Sequence, residues 1–223
     1  GRQLNVMARM QHGINAVIVQ MSNAEASEVM KRADVDFVER EHDLELNTDN
    51  GPRFIGAPSI WGGVTASGVA TEGEGIVVGV IDTGVNWESP AFAAVGPNDG
   101  YVHVNPQGAG NYLGQCQAGA VDAGKCNDKL IGIYNFFTPG TSGADTQGHG
   151  SHTASTVAGN TWNAVYASGP FTVSGVAPHA NVVTYLVCNP GCPSTATAQA
   201  ANQAVADGVD VINYSISGGT SPW

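Results

Sequence analysis

The run Gly75-Ile-Val-Val-Gly-Val-Ile-Asp82 narrows the choice of fold more than any other stretch of this chain. It is apolar and β-branched without alternation, which reads as a strand buried on both faces. Such a strand needs a sheet with cover on each side. Lys129–Phe137, Asn181–Cys188 and Val209–Ile216 read as further strands. Helical segments lie between them. Residues 149–158 form one. Thr195–Asp207 forms another, with Ala198, Ala201, Ala204 and Val205 at helical spacing and Gly208 as its C-cap. This alternation predicts an α/β fold, a doubly wound and mostly parallel sheet with helices on both faces. Sites in such sheets form at the carboxyl ends of strands, and Asp82 ends one.

Upstream lies a smaller unit. Residues 14–21 read as a strand, and Ser22-Asn-Ala-Glu25 as a capping box in which hydroxyl and carboxylate satisfy each other's backbone donors. The helix that follows carries Ala26, Val29, Met30 and Ala33 on one face, and Val35–Val38 is a second strand. This small α+β unit covers only one sheet face and needs a neighbour to be stable. Residues 41–53, polar and then Gly51-Pro52, are a linker. The division is therefore 1–48 and 49–223. Gly56–Trp61 suggests a short helix with Pro58 in its first turn, and the Gly-, Asn- and Gln-rich span 96–128 a surface insertion.

Bulk properties exclude some partners. A formal net charge of −11 argues against nucleic acid and anionic membranes. The apolar runs are strand-length, too short to cross a bilayer. Four cysteines fall in two close pairs, Cys116 with Cys126 and Cys188 with Cys192. Local disulfides fit this best, although four cysteines allow three connectivities and free thiols remain an alternative. Zinc fits least, because neither pair is Cys-x2-Cys and no histidine is near in sequence. Disulfides imply an oxidising compartment, and any export signal would already have been removed.

Chemistry enters with Asp145-Thr-Gln-Gly-His149-Gly-Ser-His-Thr-Ala154, where turn formers lead into small residues and two glycines bracket His149. A histidine fixed at a helix start, with an unperturbed pKa of about 6.5, suits proton transfer at neutral pH. Val80-Ile-Asp82-Thr-Gly84 and Gly148-His149-Gly-Ser-His-Thr-Ala154, followed by Val176-Ala-Pro178 and Val211-Ile-Asn-Tyr-Ser215, resemble the subtilisin-like serine proteases in motif and in order. The resemblance covers most of residues 56–219, and residues 12–48 resemble the tail of the family's inhibitory pro-region. It implies a secreted (or periplasmic) endopeptidase acting on proteins or peptides through an Asp-His-Ser triad. Asp82 would fix the tautomer of His149, and His149 would take the proton from a serine. Ser215, Ile216, Ser217 and Gly218 would pair with the substrate backbone. The pro-region would stay bound to the catalytic domain. No cofactor is needed for this chemistry, though family members often carry structural calcium.

Two essentials are absent from the sequence, the nucleophilic serine and the oxyanion-hole Asn. Gly219-Thr-Ser221 mimics a nucleophile motif, but it follows the substrate strand at once and Pro222 precludes a helix there. The sequence therefore reads as the amino-terminal part of a protease whose remaining carboxy-terminal part supplies the serine. The rival from another class is a non-catalytic homologue acting as a binding or inhibitory module. A metal site from His149 and His152 lacks a third ligand and the Glu of His-Glu-x-x-His, so no metal ligand is assigned. Gly73-x-Gly75 precedes its strand, the wrong place for a dinucleotide turn. His12, His42, His103 and His179 read as surface or turn residues.

Overall fold

The computed structural model describes residues 3–41, 44–46, 55–166 and 169–218. The chain begins with an antiparallel pair, β1 (Asn5–Met10) and β2 (Ala16–Gln20), followed by α1 (Asn23–Val29). The expected capping box is present: Glu25 N–H donates to Ser22 Oγ at 3.3 Å and Ser22 N–H to Glu25 Oε2 at 2.8 Å. Two expectations fail here. The helix stops at Val29, and Met30 and Ala33 are exposed. Val35–Val38 forms no strand; Phe37 is exposed, and no described strand lies beside it to complete a ladder. Conversely, β1 was not legible, since Asn-Val-Met-Ala-Arg-Met mixes apolar and charged residues without a clear period.

After β3 (Leu44–Leu46) and α2 (Ala57–Trp61, Pro58 in its first turn) comes the main sheet. Its strands are β4 (Val77–Asp82), β5 (Leu113–Gly114), β6 (Leu130–Asn135), β9 (Asn181–Leu186) and β10 (Val211–Tyr214). Between β6 and β9 lie α3 (His149–Ala158) and a hairpin, β7 (Trp162–Tyr166) with β8 (Gly169–Val173). α4 (Ser194–Ala206) precedes β10, and β11 (Ile216–Gly218) follows it. The sheet order is β10-β4-β9-β6-β5, all pairs parallel. The fold is the expected α/β type, with small antiparallel pairs at its ends.

Strand geometry sends alternate side chains to opposite faces, and each face has its own core. Val78, Val80, Leu130 and Val182 pack with Ala154 and Ala158 of α3. Val77, Ile81, Ile131, Val183 and Tyr185 pack with Ala196, Ala200 and Ala204 of α4. Each buried valine or isoleucine contributes about 1.5–3 kcal/mol, so the two cores dominate the fold's stability. The inward face of α4 matches the expected stripe in part: Ala204 is buried and Ala201 packs on the core, while alanines at i, i+4 and i+8 let the helix approach closely and Val205 is 52% exposed. Val205 instead faces Gly13, and Asn202 Oδ1 accepts the His12 and Gly13 N–H groups at 2.9 and 3.1 Å. The outer side of α4 is where the small amino-terminal unit docks.

The 96–128 insertion has little regular structure beyond β5, as expected, and is closed by the Cys116–Cys126 disulfide. Cys188–Cys192 forms the second disulfide, and no cysteine is free. The single strand expected over 209–216 is broken at Ser215. No described helix is long and apolar enough to cross a membrane.

Candidate active site

β4 is buried along its whole length and delivers Asp82 to the carboxyl edge of the sheet, 1% exposed. The carboxylate is fully engaged. Oδ1 accepts the Thr83 N–H at 2.7 Å and lies 2.8 Å from His149 Nδ1; Oδ2 lies 3.0 Å from the same nitrogen and accepts Thr153 Oγ1–H at 3.0 Å. An ionised carboxylate only accepts hydrogen bonds, so Nδ1 carries the imidazole proton and Nε2 keeps its lone pair. That Nε2 is buried and has no partner among the described residues. Backbone contacts hold the strand end as well: Val187 and Cys188 N–H groups donate to the Asp82 carbonyl.

α3 starts at His149 because the preceding loop is wired to its first turn. Asp145 accepts N–H bonds from Gln147, Gly148 and Ser151 and a hydroxyl bond from Ser151, satisfying donors that a helix start leaves free. Its burial works to raise the carboxyl pKa, but these bonds, Gly148 N–H foremost, outweigh it and hold the group below its ordinary value. Thr83 bridges strand to helix, its hydroxyl donating to Asp145 Oδ1 at 3.0 Å and accepting Gly150 N–H at 2.7 Å. Gly150 permits this approach, since a Cβ there would lie 2.4 Å from the Gly84 carbonyl oxygen.

A buried carboxylate, an imidazole fixed in one tautomer and a ring nitrogen with no partner among the described residues are what general-base chemistry requires. Residues 73–223 match the profile of the Subtilase family. The chain belongs to the subtilase family. It is 34% identical to subtilisin-like protease SBT2.4 of Arabidopsis thaliana, an alignment covering 92% of this chain and 26% of that protein. Subtilisin-like proteases SBT4.13 and SBT1.7 of the same plant are 34% and 33% identical, over 93% and 96% of this chain and 27% and 29% of theirs. This subtilase chain spans about a quarter of the length of the curated relatives it matches.

Of the residues singled out from sequence, Asp82 and His149 are brought together. Ile216, Ser217 and Gly218 form β11, which pairs antiparallel with Leu46, Glu45 and Leu44 of β3. Ser215 sits in the break before β11, its hydroxyl 3.1 Å from Asn213 Nδ2. Gly219-Thr-Ser221 and His42 lie outside the described residues. His152 is exposed and joins no grouping of ligand atoms with His149 among the described residues. His12 is exposed and His179 lies in a turn, its side chain 14% exposed among carboxylates, as expected; His103 is not a surface residue, being 2% exposed. Thr83, Asp145, Ser151 and Thr153 escaped sequence reasoning. Only Asp145 left a signal, an acid shortly before a helix start.

Proposed function

We propose that this chain belongs to a secreted serine endopeptidase that hydrolyses peptide bonds, and that Asp82 and His149 are two members of its triad. The observation that carries the reading is the pair itself: His149 Nδ1 held at 2.8 and 3.0 Å by a buried carboxylate, with Nε2 buried and unpaired. A serine hydroxyl brought to Nε2 gives up its proton as its oxygen attacks the substrate carbonyl carbon. The imidazolium, stabilised by ionised Asp82, returns that proton to the leaving amine, and an acyl-enzyme remains. Water then repeats the sequence, its proton passing to Nε2 and back to the serine as the acid leaves. The serine and the oxyanion-hole Asn are assigned to polypeptide outside residues 1–223, in keeping with the quarter share of the relatives' length. β11 would hold the substrate backbone, and the two disulfides suit an oxidising compartment.

Residues 1–48 are read as the carboxy-terminal part of an inhibitory pro-region, with 49–223 as the start of the catalytic domain. Two observations favour this: β3 occupies the ladder of β11 as a product-like strand, and the amino-terminal unit docks on α4 through Asn202. The same contacts suit the second reading, in which a non-catalytic homologue acts as a binding module. Labelling the full-length protein with a serine-directed phosphonate separates the two. The expected label falls on a serine outside residues 1–223, survives Ser221→Ala and drops by orders of magnitude in His149→Ala. Labelling unaffected by His149→Ala would refute the triad assignment.

A further inference from the structure

Away from Asp82, at the opposite end of the sheet, the turns that lead into β4 and β9 lie side by side because Val77 and Asn181 are register partners. Glu72 and Glu74 come from the first turn, His179 from the second and Asp99 from the insertion. We propose that Glu72, Asp99 and His179 form a binding site for a zinc-class divalent cation, with Glu74 orienting the imidazole from behind. The proposal stands independently of the peptidase reading.

The geometry is that of a histidine prepared as a ligand. Its Nδ1 is 2.6 Å from Glu74 Oε1, a carboxylate oxygen that accepts Nδ1–H, and Nε2 lies on the opposite edge of the ring. There Nε2 meets Asp99 Oδ2 at 3.1 Å and Glu72 Oε2 at 3.5 Å, and the three ligand atoms lie within 4.8 Å of one another. A carboxylate holding the far nitrogen of a metal-bound histidine is the usual outer shell of such sites. The second oxygens of Glu74 and Asp99 are occupied. Thr71 Oγ1–H and Glu72 N–H donate to Glu74 Oε2 at 2.9 and 3.0 Å, and Tyr101 N–H to Asp99 Oδ1 at 2.9 Å. Asp99 takes this pose only because residue 96 is glycine; a Cβ there would lie 2.1 Å from Oδ1. Tyr101 stacks on the imidazole, ring centroids 3.7 Å apart, and fixes its plane.

Charge supplies the separate argument. Three carboxylates surround one imidazole, and no lysine or arginine pairs with any of them among the described residues. The ring carries at most one positive charge, so the three carboxylates leave the cluster net anionic. A divalent cation taking the place of a proton at Nε2 offsets that charge and gains three ligand bonds. One nitrogen and two oxygen donors suit zinc, whereas calcium and magnesium take oxygen ligands alone. Three protein ligands leave water the fourth tetrahedral position. Glu72, its side chain about one-third exposed, can rotate to close the remaining distance to bonds of about 2.0–2.2 Å. The bound ion would clip the insertion to the starts of two core strands.

The test uses the untagged full-length protein, titrated calorimetrically with zinc chloride and separately with calcium chloride. The expected result is one zinc bound with a rise in thermal midpoint, lost in both His179→Gln and Asp99→Asn and weakened about 10- to 100-fold in Glu74→Gln. Metal-free unfolding midpoints of the variants show whether each is folded. Zinc binding of equal stoichiometry and affinity in His179→Gln, an absence of zinc binding, or calcium binding in preference to zinc would each overturn the proposal.

Discussion

Asp82 does three jobs with two oxygens: it accepts the Thr83 N–H at the end of β4, the Thr153 hydroxyl of α3 and the Nδ1–H of His149. Its acid character was legible because a charge closing a buried apolar run has to be compensated. The burial of His103 was not legible, because its partner Asn160 comes from a distant segment. His103 shows the consequence. Its Nε2 is 2.7 Å from Asn160 Oδ1, and burial, reinforced by the Lys129 charge, lowers its pKa from 6.5 to about 4. Between pH 6.5 and 4 the unfolded chain therefore binds a proton that the fold refuses. Stability should fall as pH drops through this window, by up to about 1.4 kcal/mol per pH unit from this group, and level below it. Urea unfolding across pH 4–7 should show a shallower loss in His103→Gln than in the parent. Equal slopes would mean that His103 is not held neutral.

At the scale of elements, the parallel strands were readable because residues buried on both faces need no alternation. The failures have physical causes as well. α4 offers alanines on several faces, and spacing alone did not say which would meet the sheet; the outer face received the amino-terminal unit instead. The 209–216 run is β-branched throughout, yet it breaks at Ser215 so that the chain can leave β4 and pair with β3. The contact of α3 with the end of β4 gives a sharp expectation. Gly150→Ala should gain about 0.5–1 kcal/mol of helix propensity. The Cβ would nevertheless sit 2.4 Å from Gly84 O and 2.9 Å from Thr83 N, an overpacking that costs about 1–3 kcal/mol. The net effect should be a lower denaturant midpoint together with reduced proteolytic activity in the full-length protein. An unchanged or raised midpoint would mean that α3 can shift freely.

For the whole molecule, the sheet carries candidate chemistry at one end and the His179 cluster at the other, while the amino-terminal unit leans on α4. If β3 is a product-like strand, the mature protein should begin near Asn47 or Thr48, which amino-terminal sequencing would show; a start well beyond Trp61 would dissociate β3 from maturation. The proposed triad requires Asp82 to fix His149 so that Nε2 is its base. Nitrogen NMR of the His149 ring at neutral pH, in the parent and in Asp82→Asn, reads this directly. The proton should sit on Nδ1 in the parent and lose that tautomer preference in Asp82→Asn, alongside a fall in turnover on the order of 10^4. A parent imidazole protonated at Nε2 and bare at Nδ1 would contradict it.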